Sequence, residues 1–237
     1  MIHVQNLRKE YGSKVAVNNM SIDVEKGSLF SLLGVNGAGK TTTIKMLTGL
    51  EKITSGDATI MGYSVKNEIN KVKEIVNVST QETSVAQNLS VIENLMFIAG
   101  IYGIDKKEAE KRAERIIETF HMDDVRNAKA KTLSGGWQRK LSIAMALITN
   151  PKVLFLDEPT LGLDVLARRE LWRVIEELKG NITIILTTHY MEEAESLSDK
   201  IAIMVDGNIK AAGTLDELKS LTNKSNLEEV FVEIATR

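Results

Sequence analysis

The 237-residue sequence contains no cysteine, two prolines and only 5% aromatic residues. Without cysteine it forms no disulfides and no thiolate metal sites, and this composition fits a reducing cytoplasm. The first residues, Met1–Asn6, lack the basic-then-apolar pattern of a signal peptide. The longest apolar stretches, around Leu141–Ile148 and Ile182–Leu186, are far too short to span a bilayer. The sequence therefore predicts a soluble protein that reaches a membrane only through a partner.

A strong charge of either sign is also missing. The formal net charge is −2 and the pI is about 6.0, so the chain lacks the basic footprint of a nucleic-acid-binding protein. Hydrophobic residues make up 43% and charged residues 26%, as in ordinary globular proteins. This length permits one large α/β domain, or a core with one subdomain.

A glycine-rich loop follows the apolar run Ser28–Leu33 and precedes a helical pattern, Thr42–Leu47. The loop residues are Gly34, Val35, Asn36, Gly37, Ala38, Gly39, Lys40 and Thr41. They match G-x-x-x-x-G-K-[ST] in the strand–loop–helix context that gives this motif its meaning. Backbone N–H groups and the helix N-terminus attract phosphate; we expect Lys40 to reach the β- and γ-phosphates and Thr41 to bind Mg²⁺. The alternative, a glycine-rich turn without a ligand, is disfavoured by the flanking strand and helix.

The remaining pattern is that of an α/β protein. Short alternating runs over residues 2–31 predict antiparallel strands. The first helix is expected to end at Gly49, and short strands are expected at Ala58–Met61 and Ile75–Val78. Two continuous apolar runs, Val153–Leu156 and Ile182–Leu186, indicate a buried parallel sheet.

Three further elements complete this pattern. A helix is expected near Val165–Lys179, between the two apolar strands, and residues 201–211 have the pattern of a hairpin. From about residue 82 to residue 150 helical periodicity dominates, as in Lys106–Phe120 with its apolar stripe. We expect one domain over residues 1–237, with a helical subdomain of about 82–150 inserted into the core.

A pair of carboxylates ends the apolar strand Val153–Leu156. Asp157 is placed to hold Mg²⁺, directly or through water, and Glu158 to accept a proton from water or to orient it. The alternative is a strand that reaches solvent at an acidic residue, which the preceding phosphate loop disfavours.

A second candidate anion site begins at Leu133. Ser134 is expected to cap the helix that follows, and Gly135 and Gly136 leave its first N–H groups bare. The alternative is an ordinary glycine turn before the amphipathic helix Trp137–Ile148.

With these stretches, nearly the whole chain resembles the nucleotide-binding subunit of an ATP-binding-cassette (ABC) transporter. Gly34–Thr41 is similar to the Walker A motif of this family, Leu133–Trp137 to its signature and Leu154–Glu158 to its Walker B motif. The resemblance adds Thr42 to the nucleotide-binding residues. The expected fold is a P-loop NTPase core with a mostly parallel sheet, an N-terminal antiparallel β subdomain and an inserted α-helical subdomain.

The resemblance also implies roles for residues outside these motifs. Asp164 lies in the segment that resembles the D-loop, and His189 resembles the switch histidine that contacts the γ-phosphate. Gln81 fits the Q-loop, with a catalytic role and a role at the metal, because Leu89–Leu95 follows at the expected interval. Gln87 is the rival glutamine but lies too close to that segment.

Tyr11 resembles the aromatic residue that stacks on adenine, although a surface tyrosine in a turn is the alternative. Trp137 departs from the family, since glutamine is commonest there and Gln138 is one place late. Ser90, where threonine is commoner, is a mild change.

The resemblance implies that the chain hydrolyses ATP with Mg²⁺ and forms a head-to-tail dimer, with itself or with a homologous ATPase subunit. Each ATP would lie between Walker A of one subunit and Ser134–Gly136 of the other. Separate transmembrane permease subunits would hold the chain at the inner face of the cell membrane, on the cytoplasmic side. The groove near residues 81–102 would receive a coupling helix from them.

The last segments resemble the branch that serves drug, sodium, polysaccharide or lantibiotic exporters, as in Thr188–Ala194 and Leu227–Phe231. We therefore expect export. The alternatives are a non-transport ABC ATPase that acts on ribosomes or DNA, and an ATP-gated regulatory module with little turnover. A kinase or GTPase on the same loop is disfavoured by the signature stretch.

Overall fold

Two β-sheets organise the chain, whose computed structural model describes residues 1–236. The strands are β1 (Ile2–Tyr11), β2 (Lys14–Val24), β3 (Leu29–Leu33), β4 (Ser55–Ile60), β5 (Tyr63–Ser64), β6 (Val76–Ser79), β7 (Val153–Asp157), β8 (Thr183–Thr188), β9 (Lys200–Val205) and β10 (Asn208–Gly213).

Helices cover both faces of the larger sheet. The α-helices are α1 (Lys40–Leu47), α2 (Ile69–Ile75), α3 (Val91–Ile101), α4 (Lys106–Thr119), α5 (Gly135–Leu147), α6 (Val165–Leu178), α7 (Met191–Leu197), α8 (Leu215–Thr222) and α9 (Leu227–Ala235). The 3₁₀ turns Asp123–Val125 and Ala130–Thr132 lie between α4 and α5. As expected, Gly49 terminates the first helix with a left-handed backbone, at φ 69°.

The smaller sheet is antiparallel, with the strand order β2-β1-β4-β5. The prediction of antiparallel strands over residues 2–31 is therefore right for β1 and β2. It is wrong for residues 29–31, which begin β3 and pair in parallel with β8 and β9. A fully buried strand with apolar residues on both faces is typical of a parallel sheet, and every residue of β3 is buried.

The larger sheet has the order β10-β9-β3-β8-β7-β6. All neighbours pair in parallel except β10, which forms the expected antiparallel hairpin with β9. The carboxyl ends of β3, β6, β7 and β8 therefore lie at one edge, where ligands bind in open α/β sheets. The expected α/β fold, with one antiparallel and one mostly parallel sheet, is confirmed.

Helices α3, α4 and α5 form the stretch between β6 and β7. Their buried residues share one hydrophobic cluster with the sheet, in which Ala113 and Leu141 of the helices join Leu154 and Ile184 of the strands. The separation of a helical subdomain at about 82–150 stays a prediction. Among residues 1–236, no helix has both the length and the apolar character needed to cross a bilayer.

Candidate active site

Four loops meet at the carboxyl edge of the parallel strands. The loop after β3 is the glycine-rich segment, Gln81 lies just beyond β6, Glu158 follows β7 directly, and His189 follows β8. The strand register aligns the ends of β7 and β8, since Asp157 of β7 pairs with Thr187 of β8. Glu158 and His189, which follow these strands, are therefore brought close together. Parallel pairing thus brings together side chains that are widely separated in sequence.

These loops surround a cavity of about 390 Å³. Ten of its lining residues are predicted site residues: Tyr11, Asn36, Gly37, Gly39, Lys40, Thr41, Thr42, Gln81, Glu158 and His189. Lys14, Ala16 and Leu161 complete the lining. Gly34, Val35 and Ala38 belong to the same loop as Lys40 but are not among the residues that line the cavity.

The glycine-rich loop depends on Gly39, whose φ of 107° is accessible mainly to glycine. A Cβ atom there would lie 2.4 Å from the carbonyl oxygen of Ala16. Lys40 follows as the first residue of α1 and is 4% exposed. Its Nζ donates to the carbonyl oxygens of Gly34 at 2.8 Å and Val35 at 3.1 Å. These two hydrogen bonds fix the Lys40 ammonium group close to the N-terminus of α1.

Glu158 and His189 form a pair at the cavity wall. Glu158 Oε2 lies 3.0 Å from His189 Nδ1, and the Glu158 side chain is only 7% exposed. The backbone of Glu158 is left-handed, with φ 47°, an uncommon conformation for a residue with a side chain. Its N–H donates to the carbonyl oxygen and to Oγ1 of Thr187, both at 3.1 Å. A residue held in this way often marks an active site.

Asp157 lies behind Glu158 and is buried. Its Oδ1 accepts hydrogen bonds from Thr41 Oγ1 at 3.1 Å and from Thr187 Oγ1 at 2.5 Å. The described residues contain no cluster of three or more acidic, histidine or cysteine side chains suited to a metal. One carboxylate and one hydroxyl suit Mg²⁺, which keeps several waters and shares phosphate oxygens with the protein. The donor set therefore fits this ion.

Tyr11 and Lys14 both line the cavity. They face each other across the β1–β2 hairpin, and the Tyr11 side chain is 45% exposed. Lys9 Nζ lies 4.7 Å from the centre of the Tyr11 ring, and Glu51 hydrogen-bonds to Tyr11. Burial and the Glu51 carboxylate raise the pKa of Tyr11. Sequence reasoning missed Lys14, although the two-residue turn predicts that it lies opposite Tyr11.

The signature residues lie outside this cavity. Ser134 caps α5 by accepting a hydrogen bond from the N–H of Trp137, and Ser134 and Gly135 are exposed. Asp164 is also exposed and caps α6, accepting from the N–H groups of Leu166 and Ala167. One chain therefore has two candidate phosphate-binding helix ends, of which only α1 opens into the cavity.

Trp137 and Gln138 have distinct positions at the start of α5. The Trp137 ring is half-buried against the hydrophobic core, and Lys140 Nζ lies 4.5 Å from its centre. Gln138 Nε2 donates to the carbonyl oxygens of Ala130 at 3.0 Å and Leu133 at 3.2 Å. Gln138 therefore supports the turn before the signature.

Arg139, which the sequence did not single out, joins α5 to two of the site loops. Its guanidinium is 3% exposed and donates only to backbone carbonyls. The acceptors are Pro159 at 2.7 Å, Asp157 at 2.8 Å, Thr80 at 2.5 Å and Gln81 at 3.2 Å. Burial lowers the pKa of Arg139 to about 10, so the group stays charged at neutral pH.

Comparison with known proteins identifies the family. Residues 17–161 match the family described as ABC transporter. The chain is 39% identical over 221 residues to the linearmycin resistance ATP-binding protein LnrL of Bacillus subtilis (strain 168), covering 93% of this chain and 71% of LnrL. It is also 39% identical over 217 residues to the phospholipid-transporting ATPase ABCA3 of Homo sapiens, covering 90% of this chain. The chain spans only 13% of ABCA3, and 14% of ABC transporter A family member 6 of Dictyostelium discoideum.

Solved structures agree with this assignment. The ATP-binding subunit of an ABC transporter superposes with a TM-score of 0.87 at 29% identity, covering 99% of both chains. A dimeric structure of MJ0796, a bacterial ABC transporter cassette, has a TM-score of 0.80 at 25% identity, covering 91% of this chain and 99% of that one. The chain therefore belongs to the ABC transporter family, as an ATP-binding domain that hydrolyses ATP.

Proposed function

We propose that the chain is the motor of an ABC exporter, in which two ATPase subunits close head to tail around ATP and drive separate membrane subunits. One observation carries the proposal. The cavity contains Lys40, Glu158 and His189, whereas the bare helix end at Ser134–Gly136 faces solvent elsewhere. A second subunit would supply that missing helix end to each ATP.

Lys40 and the glycine-rich loop bind the triphosphate in this account. The loop N–H groups and the N-terminus of α1 attract the phosphate oxygens, and Lys40 neutralises charge on the β- and γ-phosphates. Tyr11, which lines the cavity, supplies an aromatic face for the adenine. Lys14 lies beside it and adds a second cation near the phosphates.

The metal would be held by Thr41 and Asp157, with Gln81, which also lines the cavity, as a further ligand. A bound Mg²⁺ neutralises charge on the β- and γ-phosphate oxygens. Thr187 keeps the Asp157 carboxylate in place through its short hydrogen bond.

Glu158 is the proposed general base. Its carboxylate takes a proton from the attacking water, and its rigid backbone fixes where that carboxylate lies. His189 orients Glu158 through the 3.0 Å contact between Nδ1 and Oε2. Because His189 also lines the cavity, its ring can contact the γ-phosphate of a bound ATP. Both side chains follow neighbouring parallel strands, so their separation is set by the sheet.

Apolar residues beside Asp164 support a dimer. Leu161 is 40% exposed, Val165 63% and Leu166 75%. Large exposed apolar side chains that flank a binding site mark interaction surfaces. Leu161 also lines the cavity, so a partner that covers it would close the nucleotide site.

A second exposed apolar surface supports a membrane subunit as partner. Phe97 and Ile101 lie one turn apart on α3 and are 53% and 64% exposed, and Tyr102 follows at 53%. This surface lies on α3, in the segment that follows Gln81, and Gln81 lines the cavity. A movement of Gln81 on ATP binding or hydrolysis could therefore be passed to a partner bound there. Such a partner would hold the chain at the cytoplasmic face of the membrane. LnrL is named for linearmycin resistance and ABCA3 for phospholipid transport, which supports export.

Size exclusion with light scattering tests the dimer. Glu158→Gln keeps the shape of the side chain but removes the proton acceptor, and such groups contribute about 10²–10⁴-fold in rate. ATP should then persist and stabilise the closed form by mass action. We expect Glu158→Gln to be an ATP-dependent dimer and Glu158→Gln with Ser134→Arg to be a monomer. A dimer in the double variant, or wild-type hydrolysis by Glu158→Gln, contradicts the proposal.

A further inference from the structure

A buried carboxyl group, that of Glu193, lies four residues after His189, and its hydrogen bonds join it to residues other than Glu158 and His189. Glu193 is in the first turn of α7, just after His189, and its side chain is fully buried. Burial raises the pKa of this carboxyl group. A buried acid is a costly choice for a core position, because an apolar residue there usually gives equal or greater stability. The position therefore calls for an explanation other than packing.

Two hydrogen bonds link Glu193 to other elements. Its Oε1 accepts from Thr160 Oγ1 at 2.8 Å and from Trp172 Nε1 at 3.0 Å. Both donors are buried, Thr160 completely and Trp172 to all but 9%. An oxygen of this kind accepts whether or not the carboxyl group carries a proton.

Thr160 begins the segment that leads from Glu158 to the exposed apolar residues. The N–H of Leu161 donates to the carbonyl oxygen of Glu158 at 3.2 Å, and the N–H of Leu163 donates to that of Thr160 at 3.1 Å. The hydrogen bond from Thr160 Oγ1 to Glu193, called the tether below, therefore fixes the turn between the proposed base Glu158 and the exposed apolar residues of the proposed dimer surface. The other end of the tether is α7, which continues the loop that carries His189.

The network also contains polar atoms without partners. Among the described residues, Glu193 Oε2 and Arg168 Nε are buried and have no hydrogen-bond partner of good geometry, although the Thr188 side chain lies near enough to the Glu193 carboxyl group to oppose the rise in its pKa. The Arg168 charge acts on Glu193, and its guanidinium lies 4.6 Å from the centre of the Tyr190 ring. Unsatisfied buried atoms are rare in native proteins and call for a specific reason.

We propose that Glu193 is a positioning residue for ATP hydrolysis. It holds the Glu158 turn and the His189 loop in one fixed arrangement through Thr160 and Trp172. The inference rests on the proposed roles of Glu158 and His189. Because Glu193 contacts neither Lys40 nor Tyr11, it should act on the hydrolysis step and leave ATP binding unchanged.

Substitution of Thr160 tests the tether. Thr160→Val has nearly the same shape but lacks the hydroxyl, whereas Thr160→Ser keeps the hydroxyl. We expect Thr160→Val to lower kcat about tenfold, as loss of one buried hydrogen bond allows, with the Kd for ATP within about twofold of wild type. Thr160→Ser should recover most of the rate. Equal rates for Thr160→Val and wild type, or equal losses in both variants, would overturn the proposal.

The acceptor is tested at Glu193 itself. Glu193→Gln keeps an oxygen at the Oε1 position and should restore kcat relative to Glu193→Leu, which has none. Thr160→Val should cause no further loss in the Glu193→Leu background, since its partner is already absent. If Thr160→Val lowers kcat by the same factor in the Glu193→Leu background as in wild type, Thr160 does not act through Glu193, and the proposal is wrong. If Thr160→Val does not fold, Trp172→Phe removes the second donor and is measured in the same way.

Glu158→Gln separates this inference from the proposed function. If Glu158→Gln hydrolyses ATP like wild type, the role of Glu158 is wrong and the tether loses its purpose. If Glu158→Gln is inactive while Thr160→Val is fully active, only the role of Glu193 is wrong.

Discussion

Lys40 Nζ lies 3.3 Å from Glu158 Oε1, so the lysine of the glycine-rich loop and the carboxylate after β7 form a buried ion pair. Two backbone carbonyls complete the partners of this ammonium, which has three N–H donors. Both side chains are almost fully buried, with 4% of Lys40 and 7% of Glu158 exposed. A triphosphate that enters the cavity must compete with Glu158 for Lys40.

Lys40→Ala should weaken ATP binding about tenfold or more, since charge-assisted hydrogen bonds to phosphate are lost. Titration with a fluorescent ATP analogue measures the Kd. Lys45→Ala is the matched control, because Lys45 is an exposed lysine on the same helix. If both variants bind ATP like wild type, Lys40 is not a phosphate ligand.

Tyr11→Ala should weaken adenine nucleotides by about 1–3 kcal/mol, whereas Tyr11→Trp should retain them, because an aromatic face stacks on the base. The same titration measures both variants. Tyr63→Ala is the control, since Tyr63 also has a lysine over its ring, with Lys71 Nζ at 5.2 Å, but is not among the residues that line the cavity. Equal affinity in all of these proteins would return Tyr11 to an ordinary surface tyrosine.

Arg139→Met should lower the free energy of unfolding by at least about 2 kcal/mol, because buried carbonyls lose a charged donor. Urea unfolding followed by circular dichroism measures this change. The exposed Arg173 provides the control, and Arg173→Met should stay within about 0.5 kcal/mol of wild type. A similar small change in both variants would show that the carbonyl contacts of Arg139 contribute little.

Glu193 predicts a pH dependence of stability. Its pKa in the native state is raised above 4.5 by burial, so the native state holds the proton more tightly than the unfolded state. Stability then falls as the pH rises from 4.5 through the native pKa. Glu193→Gln removes this loss. Its gain in Tm over wild type should therefore be larger at about pH 8 than at about pH 5, and an equal gain at both values would contradict the assignment.

The local motifs made much of the site predictable from sequence. Lys40 and Thr41 follow a strand at a fixed spacing, and Glu158 and His189 each follow an apolar run. Parallel strands end at one edge of a sheet, so recognising these strands already implies that the residues meet.

The parts that sequence could not supply depend on contacts between distant segments. Arg139 contacts carbonyls that lie 18 to 59 residues away, and nothing in its own helix indicates them. Glu193 has partners 21 and 33 residues away. The parallel pairing of residues 29–31 was also not predicted, because whether a strand pairs in parallel or antiparallel depends on its neighbours, here β8 and β9, which are distant in sequence.

If each ATP is shared between two copies of the chain, a mixture of two defective variants should regain activity that neither has alone. Lys40→Ala lacks the phosphate lysine and Ser134→Arg lacks the signature contact, so each protein alone should hydrolyse ATP poorly. A mixed head-to-tail dimer, however, contains one intact site, formed by Lys40 of one copy and Ser134 of the other.

The measurement is steady-state phosphate release from the two proteins, separately and mixed. Lys40→Ala mixed with the double variant Lys40→Ala and Ser134→Arg is the control, because no intact site can form there. We expect the mixture of Lys40→Ala with Ser134→Arg to hydrolyse ATP faster than the sum of the two proteins measured separately, and the control mixture to show no such increase. A rate equal to that sum in both mixtures would contradict the shared site.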